Sequence, residues 1–218
     1  MRFTETVQDL LKGSSLTRSA FNRALASITK LSGRILDVGG KRIPLSSYYR
    51  YLAIQDVRLV DVLNITDDVG ADIVADATAI PCADASYDAA LCFNVLEHVA
   101  RPQQVLAEIH RVLKPGGRFI FMVPFLHKVH GDPDDYFRYT ESGLRVLFTD
   151  AGFTIKSVQI LGLGPFTGSL AQWQTLVPGW VAVPFFALSF AADKLYAWQR
   201  PQLAKLWPLG YLVEATAR

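Results

Sequence analysis

Residues Tyr87–Phe125, YDAALCFNVLEHVARPQQVLAEIHRVLKPGGRFIFMVPF, spell out a strand, a helix and a second strand. YDAALCF and GRFIFMVPF are apolar runs too short for helices and rich in residues that suit buried strands. Between them, Pro102 stands near the start of a segment that repeats Val105, Ile109 and Val112/Leu113 at helical spacing and stops at Pro115, Gly116 and Gly117. Proline in a first turn and proline with glycine past a last turn mark both ends of a helix. A strand, a helix and a strand joined this closely make a parallel crossover unit.

The same alternation continues outward. Upstream, RILDVGG (Arg34–Gly40) and VRLVDVL (Val57–Leu63) read as two further buried strands. Downstream, Thr140 caps a helix through ESGLRVLFTDAG, FTIKSVQIL forms a strand, and LGYLVEATAR ends the chain as another. Before Gly33, Val7, Leu10, Leu11, Phe21, Ala24, Leu25, Ile28 and Leu31 fall at helical spacings on either side of a KGSS break, predicting two amphipathic helices. The pattern is that of an α/β fold with a doubly wound, mostly parallel sheet and helices on both faces, whose ligand crevice lies beyond the carboxyl ends of the central strands. Four segments follow from it: an N-terminal helical cap (1–30), the core (31–161), an apolar helical insert (162–208) and a final core strand (209–218).

Composition narrows the function. The 218 residues carry a formal charge of +2 from 22 basic and 20 acidic side chains without a basic stripe, which argues against nucleic-acid binding. Cys82 and Cys92 are too few for a disulfide framework, and no CxxC or Cys/His cluster suggests a metal, so none is expected. The first residues lack the apolar stretch of a secretory signal, and a cytoplasmic location is the expectation, with membrane association left open.

Three aspartates mark the crevice. Asp37 precedes Gly39 and Gly40, which let backbone approach a ligand; Asp61 is read as ending the second strand, where a carboxylate can accept from ribose hydroxyls; Asp76 follows the next, placed for an adenine amino group. Each alone is a common turn or cap residue. The loop GGKRIP lacks the GxGxxG of a dinucleotide site, which disfavours a nicotinamide-dependent oxidoreductase.

Over Leu31–Phe153 the chain resembles the class I S-adenosylmethionine-dependent methyltransferases, in the group with the signature seen here as IVADATAIPCADASYDAALCFNVLEHVARPQQVLAEIHRVLKPGG. The resemblance implies a Rossmann-like, seven-stranded sheet whose final strand is antiparallel, and S-adenosyl-L-methionine as cofactor. It further implies that Asp37 and Gly39 hold the methionine end with Gly40 keeping the close approach to the cofactor open, Asp61 the ribose, and Asp76 with Ala77 the adenine, while Asn94 and His98 line the cofactor and acceptor side. Lys41 departs from the family's DxGxG, placing a long side chain where a second glycine is usual.

PFLHKVHGDPDDYFRYT (Pro124–Thr140) similarly resembles the HxxPxDYxRYT pattern of a subset of these enzymes, some of them acting in bacterial cell-surface glycan and related pathways. It puts His127, His130, Asp132, Asp134, Asp135, Tyr136, Arg138 and Tyr139 at the carboxyl edge of a strand. A sulfonium methyl needs mainly in-line positioning, but a hydroxyl acceptor must also lose its proton. An imidazole suits that task at neutral pH, so His130 is the candidate base, with Asp135 or Asp132 orienting it. The plainer alternative is a turn at His130 and Asp132 and an ion pair between Asp135 and Arg138 on a helical turn.

Ser157–Ala192 contains no Asp, Glu, Lys or Arg. A single membrane crossing needs about 20 apolar residues, and an insert whose flanking strands share one sheet must cross twice. The run is too short for that. It suggests a lid, a homodimer contact or a peripheral membrane patch including Phe185 and Phe186, or else a plain cap on the core. The expectation is a methyltransferase that O-methylates a glycan, a lipid-linked molecule or a hydrophobic small molecule. The alternative is a non-catalytic methyltransferase-like binding or scaffold protein.

Overall fold

In the computed structural model, which describes residues 2–218, the apolar runs pair into one seven-stranded sheet. The strands are β1 (Ile35–Val38), β2 (Val60–Asn64), β3 (Ile73–Val74), β4 (Tyr87–Phe93), β5 (Leu113–Pro124), β6 (Phe153–Leu161) and β7 (Gly210–Ala217), in the order β3-β2-β1-β4-β5-β7-β6. β1 lies parallel to β2 and β4, and β2 to β3 and β4 to β5 likewise. β7 runs antiparallel to β6: the Leu209 N–H donates to the Leu161 carbonyl and the Arg218 N–H to the Gly152 carbonyl. The chain moves outward from β1 in one direction through β2 and β3, then restarts on the other side with β4. The tips of β1 and β4 are therefore the switch point at which such sheets bind ligands.

Helix α3 (Pro102–Val112) carries Pro102 at its first turn and buries Val105, Leu106, Ile109 and Val112. It ends three residues earlier than Pro115 suggests, because β5 already begins at Leu113, paired with Tyr87. Arg111 explains the arginine of the RVLKPGG stretch: its guanidinium holds Glu108, Asp84 and the carbonyls of Ile80 and Cys82, clamping the loop before β4 onto α3. Helix α4 (Glu141–Asp150) is capped as expected, Thr140 Oγ1 accepting from the Gly143 N–H at 3.1 Å. Its Phe148 stacks on Phe119 at 5.5 Å, beside Phe121 and Phe153, in the fully buried core.

Two features differ from the sequence reading. The β1–β2 crossover carries 3-10 turns at Ser47–Arg50 and Val57–Leu59 in place of an α-helix. The second of these uses up the start of VRLVDVL, so β2 opens at Val60 and Asp61 stands near its beginning, opposite Leu36.

The chain forms two compact units, residues 1–24, 124–129 and 159–211 in one and 25–123, 130–158 and 212–218 in the other. The sequence reading separated the N-terminal cap from the insert; the structure unites them. Helices α1 (Phe3–Leu11) and α2 (Leu16–Leu25) precede the sheet, and the insert supplies α5 (Pro165–Trp173), α6 (Gly179–Gln199) and the short α7 (Pro201–Ala204). Phe3 stacks on Phe186 at 5.6 Å, and a Cβ on Gly179 would lie 2.0 Å from the Leu10 carbonyl oxygen, so α1 meets α6 with backbone nearly in contact. Asp193, the first charge after the uncharged run, is buried and accepts from the Phe166 and Thr167 N–H groups, capping α5. Phe186 is also buried, which removes it from the expected surface patch; Phe185, Trp180, Leu188 and Trp198 are exposed. No described helix is long and apolar enough to cross a membrane.

Candidate functional site

At the tip of β1 the Asp37 carboxylate is fully buried, and burial pushes its pKa up to about 6 against the hydrogen bonds that favour its ionised form. Tyr48 and Tyr49, side by side in the Ser47–Arg50 turn, both donate their hydroxyls to Oδ2. Oδ1 has no partner. The glycines fit closely around this group. Gly39 has φ +79°, and a Cβ there would lie 2.3 Å from Val95 Cγ2; one on Gly40 would lie 2.1 Å from Asp37 Oδ2. Lys41 is exposed and lies outside the left-handed region, so the loop conformation does not demand a glycine at that position. Asn64 closes the tip of β2, its amide donating to the Gly40 carbonyl at 2.9 Å.

A second cluster occupies the turn after β4. Asn94 adopts φ +54°, a conformation asparagine tolerates better than most residues, and the chain turns through Leu96–His98. Glu97 is fully buried, and neither carboxylate oxygen has a hydrogen-bond partner. Its desolvation pushes the pKa up to about 7. The segment after β5 folds over this turn: the Tyr136 N–H donates to the Glu97 carbonyl at 2.7 Å, and the Tyr139 hydroxyl to the Leu96 carbonyl at 3.1 Å. His98 Nδ1 donates to the Asp134 carbonyl at 2.6 Å, and the His98 and His130 rings meet edge to face at 4.9 Å. Asp135 accepts from the His130 N–H at 2.8 Å and from both terminal nitrogens of Arg138, whose charge holds its carboxyl well below the usual range. His130 Nδ1 lies 3.4 Å from Asp135 Oδ2.

His130, Asp135 and His98 are thus brought together, and Asp37, Gly39 and Gly40 form the neighbouring β1 loop. The Asp135–Arg138 pair exists, but in an irregular segment instead of on a helical turn. Asp132 is exposed, and His127 belongs to the other compact unit, where its Nδ1 meets the Lys128 carbonyl. Asp76 is exposed beside Ala77 and binds the Thr78 N–H and hydroxyl through Oδ1 at 2.8 Å. Asp61 is a correction. It does not end β2, and it is tied to Arg34 at 2.7 Å and the Tyr87 hydroxyl at 2.9 Å. Asn64, three residues on, holds the strand-end position instead. The sequence reading also passed over Glu97, inside the quoted VLEHV, and the Tyr48–Tyr49 doublet. An acid beside a histidine in that motif was the available signal for the first; nothing local marked the second.

A family model described as a methyltransferase domain matches residues 50–121. A demethylmenaquinone methyltransferase from Renibacterium salmoninarum is 35% identical over 122 residues, covering 52% of this chain and 49% of that protein, so the chain spans about half the length of this relative. Among solved structures, an S-adenosylmethionine-dependent methyltransferase from Thermotoga maritima aligns over 99% of this chain and 95% of its own with a TM-score of 0.57 at 16% identity. Haemonchus contortus phosphoethanolamine N-methyltransferase 2, solved with S-adenosyl-L-methionine, covers 91% of this chain and 52% of its own at a TM-score of 0.54 and 15% identity.

Proposed function

We propose that the chain carries a class I S-adenosylmethionine-dependent methyltransferase domain and that it methylates a hydroxyl group on an apolar or lipid-linked acceptor, a reading supported by the family match, the relative and the strand order. The observation that carries the cofactor half is the buried Asp37, with Oδ1 unpartnered at the switch point of the sheet and two glycines closed around it. A carboxylate desolvated in this way needs a cationic or hydrogen-bonding partner, and the ammonium at the methionine end of S-adenosylmethionine is one. Asn64 would bind the ribose hydroxyls, Asp76 and Ala77 the adenine, and Asn94 would line the cleft. S-adenosylmethionine supplies an electrophilic methyl group on its sulfonium.

The acceptor half rests on the cluster after β4. Asp135 and Arg138 fix the backbone and ring of His130, while Asp134 fixes His98, so two imidazoles stand preorganised beside the cofactor loop. Such a pair handles the proton that a hydroxyl acceptor must lose. An apolar acceptor is supported by a relative named for demethylmenaquinone; separately, Trp180, Leu188 and Trp198 are exposed on α6. The same exposed face suits peripheral contact with lipid or a second copy of the chain.

Calorimetry with S-adenosylhomocysteine tests the reading. Binding with a dissociation constant of about 1–100 μM supports it. A folded protein that gives no binding heat contradicts it and leaves the scaffold alternative.

A further inference from the structure

Glu97, His98 and His130 each present one ligand atom, and these atoms all lie within 4.8 Å of one another. His98 Nε2 is 3.8 Å and His130 Nε2 is 3.9 Å from the same oxygen, Glu97 Oε1. Nothing in the hydrogen-bonding pattern satisfies that carboxylate, although it is fully buried. A buried carboxylate left with two imidazoles at this distance is poorly explained by packing, since desolvating a polar or charged group without a partner is unfavourable.

We propose that Glu97, His98 and His130 bind a divalent first-row transition metal ion through Glu97 Oε1 and the two Nε2 atoms. The chemistry of the set is that of such sites: two imidazoles and one carboxylate, with a position left open. The outer contacts match as well. His98 Nδ1 donates to the Asp134 carbonyl, which places its lone pair on Nε2; His130 Nδ1 lies 3.4 Å from Asp135 Oδ2 and 3.5 Å from Arg138 Nη2, and the tautomer protonated on Nδ1 toward the carboxylate leaves His130 Nε2 free for a metal. A ring nitrogen held by a carbonyl or carboxylate while the other meets the metal is the usual arrangement around metal-binding histidines. Nitrogen and oxygen ligands at about 2.0–2.1 Å from a tetrahedral ion stand roughly 3.4 Å apart; each imidazole would close on Glu97 Oε1 by about half an ångström, and the two imidazoles, within 4.8 Å of one another, by more. A cation here would give the Glu97 carboxylate the direct partner that no hydrogen-bond donor provides.

The binding claim stands apart from the methyltransferase reading; only the role of the ion rests on it. In that role the ion, and not a free imidazole, would activate the acceptor: an acceptor hydroxyl would take the open position and release its proton to solvent. Its oxygen electron pair then forms the new O–CH3 bond as the S–CH3 bond breaks, the sulfur keeping that pair.

The test uses the full chain, stripped with chelator and titrated with Zn²⁺ by calorimetry, with Co²⁺ absorption as a second readout of coordination. One equivalent of Zn²⁺ should bind, raise the melting temperature, and be replaceable by Co²⁺ with visible ligand-field bands. Glu97→Gln, nearly isosteric and free of the buried charge, and His98→Ala should each weaken binding about 100-fold or more, while His127→Ala should leave it unchanged. Folded wild-type protein that binds neither ion overturns the proposal, as does Glu97→Gln protein that binds Zn²⁺ as tightly as wild type. Titration of the same samples with S-adenosylhomocysteine separates the two readings: zinc without cofactor binding removes the methyltransferase assignment alone, and cofactor without zinc binding removes the metal site alone.

Discussion

Two buried carboxylates stand at neighbouring strand tips and are treated differently. Asp37, after β1, keeps one oxygen satisfied by two tyrosine hydroxyls and leaves the other open. Glu97, after β4, has neither oxygen hydrogen-bonded, and two imidazoles stand just under 4 Å away. The tyrosines hold Asp37 in one orientation and leave a single acceptor direction, as suits a fixed cationic group of a cofactor. The histidines instead surround Glu97 with groups that can exchange a proton or share an ion. In the proposed function, cofactor binding and acceptor chemistry are divided between these two acids, one held rigidly and one beside groups that can react.

The largest expected effect breaks the comparison on the Asp37 side. Its pKa is raised from 3.8 to about 6 by burial, so in the folded state it binds its proton more tightly than in the unfolded chain. Its contribution to stability is therefore fully present below pH 3.8 and is lost as pH rises through 6. Asp37→Asn should match wild type in acid and become more stable above pH 6, by roughly 3 kcal/mol at most, in denaturant melts run across that range. The same variant should lose cofactor binding. A stability gain coupled to lost binding would show that the buried charge is retained for the ligand; an unchanged pH profile would show that Asp37 is already paired.

The next effect sharpens the Glu97 side. His130→Ala should lower turnover about 100-fold or more while changing S-adenosylhomocysteine affinity little, measured by steady-state kinetics and calorimetry on the same preparation. An equal loss of cofactor affinity would make His130 a support of the cofactor loop.

The smallest effect concerns the tip of β2. Asn64→Ala should weaken S-adenosylhomocysteine binding about 10-fold, the cost of one or two hydrogen bonds in a desolvated site, whereas Asp61→Asn should leave it unchanged. The reverse result would restore Asp61 to the ribose despite its ties to Arg34 and Tyr87.

The Asp61 assignment shows what could be read from the chain alone. The β1 loop was legible because Asp37, Gly39 and Gly40 are adjacent and their conformational demands are local. His130 and Asp135 were legible for the same reason, five residues apart in one loop. Strand register is not local: VRLVDVL reads as one apolar run, but its first residues wind into a 3-10 turn, and only the pairing of Asp37 with Val62 shows which residue reaches the tip. Glu97 depends on the segment that carries Tyr136 and Tyr139, far along the chain. Its isolation from water comes from the Tyr136 and Tyr139 hydrogen bonds that lay that segment over it, and nothing within VLEHV reveals them. The insert follows the same rule. Helicity and lack of charge were plain, but that Phe186 stacks on Phe3 while Phe185 stays exposed depends on where α1 packs.

The division between the two acids is tested most directly by a crystal structure of the full chain with S-adenosylhomocysteine. The account predicts the ligand ammonium within hydrogen-bond distance of Asp37 Oδ1, the ribose hydroxyls at Asn64, and the sulfur turned toward His98 and His130. A ligand bound with its ammonium away from Asp37, or with its sulfur turned away from the histidines, would contradict it.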